Sequence, residues 1–169
     1  MTSRALTQFF VRRALIVACV LAAVAMASPA SASSVAAPHL RVTSGPYRDD
    51  QYISISVGPN RYFAPHHYIN ILECSDAGGK KANLPTSIAD CDESTIQPLT
   101  ILVSTNGSFK EKRYQLFTLP NLKELGETSS SRPICDSRHY CVLYIGEDQE
   151  KFTQPKVFSA PFRFVKSRS

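Results

Sequence analysis

Five cysteines are the residues of this 169-residue chain best suited to chemistry, and the chemistry they favour is oxidation. Cys19 falls inside an apolar N-terminal run, which leaves an even set, Cys74, Cys91, Cys135 and Cys141, in two sequence-local pairs. Four thiols allow three pairings, and the local one, Cys74–Cys91 with Cys135–Cys141, is the simplest. In the chain-entropy picture such loops add roughly 3 and roughly 2 kcal/mol to a marginally stable domain. Zinc is the competing use of four thiols. There is no C-x-x-C and the four histidines are scattered, so no metal site is expected.

Other reactive groups have weaker spacing. Ser, His and Asp occur without a G-x-S-x-G or anything that brings them together, so no catalytic residue is assigned and no enzyme is expected. His66 and His67 are adjacent at the start of an extended segment, where neighbours leave opposite faces; a surface turn explains them better than chelation. His139 lies inside the second cysteine loop, where exposure is expected. Gly78-Gly79-Lys80-Lys81 lacks the spacing of a phosphate-binding loop and reads as a basic loop tip. Lys110, Lys112 and Arg113, beside Tyr114 and Glu111, read as an ordinary solvated strand face. Asn106-Gly107-Ser108 fits the glycosylation sequon, but its turn chemistry already accounts for it.

The first 32 residues read as a secretory signal peptide: Arg4, Arg12 and Arg13 precede an Ala-rich apolar run, and small residues at Ala30 and Ala32 suit cleavage after Ala32. The run is too short for a membrane span. Export to an oxidising compartment would in turn favour disulfides. The formal charge of +5 falls to about +2 once those three arginines are removed, which gives no global argument for nucleic-acid binding.

The elements that must hold the cysteines are strands. Residues 40–43, 51–57, 67–74, 99–104, 109–117, 141–145 and 157–165 read as seven short strands, several of them plainly alternating, separated by turn signals such as Gly58-Pro59-Asn60 and Asn106-Gly107. Ile53, Ile55 and Val57 share one face, as do Ile69 and Ile71. Phe158, Phe162 and Phe164, separated by even numbers of residues, mark the core or cleft face of the last strand, with the core preferred. No window keeps a 3.6-residue apolar period. The expected fold is all-β, a seven-stranded antiparallel immunoglobulin-like sandwich over residues 40–165, with a short extension at 33–39 and a tail at 166–169. Residues 118–133 read as a long polar surface loop.

These segments together resemble the neocarzinostatin family of enediyne apoproteins. The carriers are Val42-Thr43-Ser44-Gly45, Asp50 before the second strand, Leu72-Glu73-Cys74, Ala89-Asp90-Cys91-Asp92, Asn106-Gly107-Ser108-Phe109, Ile134-Cys135-Asp136, Cys141-Val142-Leu143-Tyr144-Ile145 and Ala160-Pro161-Phe162-Arg163-Phe164. The resemblance covers nearly the whole exported domain. It implies a sandwich with a ligand cleft on one sheet, in which a chromophore is held non-covalently and the cargo, not the protein, damages DNA.

By the same resemblance, Asn70, Leu72 and Cys74 of one strand and Val142, Tyr144 and Gly146 of its neighbour form the cleft floor, with Ala89 and Ile96 in the wall. Chromophore-binding members carry glycine at the positions of Leu72 and Tyr144, and at least one has an indole at the position of Asp76; this chain has no tryptophan. Two bulky side chains in place of two glycines should fill much of the cleft. The expected function is a secreted, monomeric, non-enzymatic binder of a small apolar ligand without a resident cofactor. The alternative is a secreted or cell-surface interaction module whose cleft is filled by its own side chains. Direct nucleic-acid binding is not expected.

Overall fold

Period-two alternation decides which side chains meet, and the computed structural model, which describes residues 35–97, 101–120 and 133–166, follows it. The expected leader, residues 98–100 of the fourth strand region, most of the 118–133 loop and residues 167–169 of the tail lie outside the described residues. The strands are β1 (Leu40–Val42), β2 (Tyr52–Val57), β3 (Tyr68–Asp76), β4 (Cys91–Asp92), β5 (Ile101–Leu102), β6 (Phe109–Gln115), β7 (Tyr140–Gly146) and β8 (Lys156–Phe158). Among the described residues, helix is limited to three single 3₁₀ turns between Lys81 and Thr95. Among the described residues no helix is long and apolar enough to cross a membrane.

Every strand pair is antiparallel. One sheet runs β1-β2-β6; the other runs β4-β3-β7-β8, with β5 also pairing to β3. Between them lie residues that alternation marks as inward, Ile53, Ile55 and Val57 from β2, Ile69 and Ile71 from β3, Leu143 and Ile145 from β7, together with Phe109 and Tyr114 from β6, where the register shifts. Phe63, Val103, Leu116 and Phe164 close this core. Sandwich, antiparallel pairing and both local disulfides, Cys74–Cys91 and Cys135–Cys141, are as the sequence implies.

Two details differ. Among the described residues there are eight strands rather than seven, because the first disulfide holds Cys91 directly opposite Cys74 and so creates the two-residue β4. The last strand is interrupted: β8 stops at Phe158, and the chain pairs with β7 again where Cys141 and Phe162 exchange N–H···O bonds of 2.9 Å. Pro161 has no N–H to give a ladder. The break separates Phe158 from Phe162 and Phe164, whose rings meet edge-on at 5.8 Å. Phe164 joins the core, whereas Phe158 packs on the far face of β3 and β7.

The expected hairpin turn at Asn106-Gly107 forms. Gly107 sits at φ +83 and donates to the Ser104 carbonyl, and a Cβ there would lie 2.0 Å from the Asn60 oxygen. Only glycine fits.

Candidate functional site

The central rungs of β3 and β7 bring the six floor residues together. In register, Asn70 faces Gly146, Leu72 faces Tyr144 and Cys74 faces Val142. Alternation sends this set to the outer side of the sheet, away from Ile69, Ile71, Leu143 and Ile145. There Leu72, Cys74, Val142 and Tyr144 form a second apolar cluster with Cys91, against which Leu84, Ile88, Ile96, Phe152 and Phe158 pack. Ile96 is thus at the wall. Ala89 is not: it is exposed, and its neighbour Ile88 makes the contact, because the 3₁₀ turn Ile88–Asp90 leaves only one of the two pointing inward.

Tyr144 occupies the space a ligand would need. Its ring stacks on Phe152 (centroids 4.9 Å, 29° apart) and meets Phe158 edge-on at 5.8 Å. Its hydroxyl donates to the Asp148 carbonyl at 2.7 Å. Leu72, Val142 and Tyr144 are 0 % exposed. Gly146 makes this possible: a Cβ there would stand 2.3 Å from the Tyr144 hydroxyl. The one floor glycine that would let a ligand approach the backbone admits the tyrosine two residues before it instead. Burial, then the nearby Asp148 and Glu147 carboxylates, push the Tyr144 hydroxyl up to about 12. At the rim, Asn70 Nδ2 donates to Gln149 Oε1, so the loop after β7 ties down the last floor residue as well.

Behind this face is a group the sequence reading passed over. Glu73 alternates inward and is 0 % exposed. Its Oε1 accepts the Phe117 N–H at 2.8 Å and its backbone N–H donates to Thr95 Oγ1, while Oε2 has no hydrogen-bond partner among the described residues. Burial raises its carboxyl well above the ordinary range, opposed by the Phe117 bond and reinforced by the charges of Asp92 and Asp49. The signal was present: Glu73 shares its strand face with Ile69 and Ile71. Asp76, the position of an indole in the resemblance, ends β3 buried opposite Tyr140, its carboxyl also raised by burial.

The remaining reactive side chains are dispersed. His67 Nδ1 meets Glu147 Oε2 at 2.7 Å on the surface, and His139 meets Asp136 at 2.9 Å within the second disulfide loop. Among the described residues no group of three or more His, Cys, Asp or Glu is arranged to hold a metal ion. A groove of about 580 Å³ lies beside the filled face, between β1 and the segment after β8, lined by Leu40, Val42, Tyr47, Phe158 and Phe162. Tyr47 and Phe162 pack edge-on there at 4.7 Å.

No family model, curated protein or solved structure matches this chain.

Proposed function

We propose that this chain is an exported, non-enzymatic module of the neocarzinostatin type that works through its surface and not through a chromophore held on its sheet. The observation that carries the reading is the Leu72–Tyr144 rung: both side chains are wholly buried, and Tyr144 is pinned by Phe152, Phe158 and the Asp148 carbonyl. Two disulfides suit an oxidising compartment outside the cell. The order of the family-like segments and the strand register of the floor residues support the kinship.

A carrier of a small apolar ligand is the second reading. The groove beside β8 favours it, since about 580 Å³ is within the range of small-molecule sites and three of its lining residues are aromatic. Titration with a planar aromatic dye, read by fluorescence and by melting temperature, separates the two. The module reading expects no binding to the wild type and binding to Tyr144→Gly. A wild-type melting temperature that rises with dye, and stops rising in Phe162→Ala, supports the carrier instead.

A further inference from the structure

Among the described residues, the outward face of the β1-β2-β6 sheet carries cations and no carboxylate. Arg41 on β1 stands opposite Ser56 on β2, and Ser56 opposite Lys110 on β6, so both basic side chains leave the same face. The register then slips. Ile53 pairs with Tyr114 but Ile55 with Glu111, which leaves Lys112 and Arg113 together opposite Ser54. Such a bulge suspends alternation. Lys112 and Arg113 are therefore both exposed, while Tyr114 turns into the core. The Arg113 guanidinium lies 4.8 Å over the ring of Tyr52, itself 50 % exposed.

Among the described residues none of the four cations is held in an ion pair. Glu111 shares the rung of buried Ile55 and accepts the Arg113 backbone N–H; Asp50 is at the end of the sheet, on Gln115. Three cations elsewhere are engaged: Lys151 with Asp148, Lys156 with the Phe152 carbonyl, Arg163 over Tyr140. The chain's formal charge is +5, and this face gathers four of its cations.

We propose that this face binds a single strand of nucleic acid, with Arg41, Lys110 and Lys112 on phosphates and the Arg113–Tyr52 stack beneath a base. Unpaired cations on a flat sheet match any linear phosphodiester polymer. The exposed tyrosine with a guanidinium on its ring is what selects a nucleic acid, because a polymer without bases has nothing to stack there. The inference rests on the surface-module reading and names its partner, but uses the outer face of the other sheet.

The test is fluorescence anisotropy of a labelled oligothymidylate with the exported protein. Three phosphate contacts give a slope near −0.7 per contact, so affinity should fall about 20-fold between 50 and 200 mM salt. The combined variant Arg41→Gln, Lys110→Gln, Lys112→Gln, Arg113→Gln should abolish binding with its melting temperature unchanged. Tyr52→Ser should weaken binding about 5-fold or more while leaving the salt slope intact. Wild-type affinity in the combined variant overturns the proposal. So does inorganic polyphosphate competing as well as the oligonucleotide, with Tyr52→Ser silent. Dye bound at the Tyr144 face of the wild type, with oligonucleotide binding intact, breaks the surface-module reading alone.

Discussion

Removing the Tyr144 ring should cost most of what holds the outer face of β3 and β7 closed. In Tyr144→Gly a fully buried aromatic is lost, at about 3–5 kcal/mol for such a truncation. The hydroxyl bond to Asp148 contributes about 1 kcal/mol, and the ring contacts with Phe152 and Phe158 about 0.5–1.5 each beyond their area. These overlap, so the total is set at about 4–5 kcal/mol. A domain with about 5–15 kcal/mol of stability survives that at low temperature. The assay is urea unfolding, where at a slope of about 2 kcal/mol/M the midpoint should drop by about 2 M. Tyr144→Phe isolates the hydroxyl and should lose only about 1 kcal/mol. It also carries a pH signature. The Tyr144 hydroxyl is raised from 10.0 to about 12, so its contribution is complete below pH 10 and disappears as pH rises through 12. Tyr144→Phe should flatten that alkaline limb. A Tyr144→Gly protein within about 1 kcal/mol of wild type would refute the reasoning, because a ring that costs nothing to remove is not packed.

Glu73 gives the opposite kind of test. Its folded carboxyl is raised, so its contribution is present below the ordinary glutamate range, about 4.3, and is lost as pH climbs through the raised value. Glu73→Gln should match wild type near pH 4 and exceed it increasingly toward alkaline pH, as followed by urea midpoints; parallel curves would contradict this. Replacing Cys74 and Cys91 together by serine should cost roughly 3 kcal/mol, and Cys135 with Cys141 roughly 2, measured by unfolding of each double variant. Gly107→Ala, forced to φ +83 with its Cβ against the Asn60 carbonyl, should lower stability by about 1–3 kcal/mol, measured the same way.

The sandwich was legible because alternation survives in the central strands. Ile53, Ile55 and Val57, and Ile69 and Ile71 with Leu143 and Ile145, meet in the core that their spacing implies. Short loops made the disulfide pairing legible too. What escaped the sequence depends on long-range register. β4 has only two residues and exists because Cys91 is bonded across to Cys74. The bulge at Lys112–Arg113 is a property of the β2–β6 pairing, and no local pattern announces that both side chains turn outward. At the candidate site, the expectation of a filled cleft came from the resemblance, which places glycine where Leu72 and Tyr144 stand. That Phe152, from the turn after β7, completes the packing, and that Gly146 yields its space to Tyr144, needed coordinates. Glu73 was readable from its strand position, but a carboxyl set among isoleucines runs against the usual expectation for a charged residue.

The most direct measurement is a proton NOE map of the aromatic rings of the wild-type protein. The account predicts contacts from the Tyr144 ring to Phe152, to Phe158 and to the Gly146 α-protons, with a slowly exchanging Tyr144 hydroxyl. A Tyr144 ring free of those contacts and open to solvent, above a floor that Leu72 leaves accessible, would contradict it.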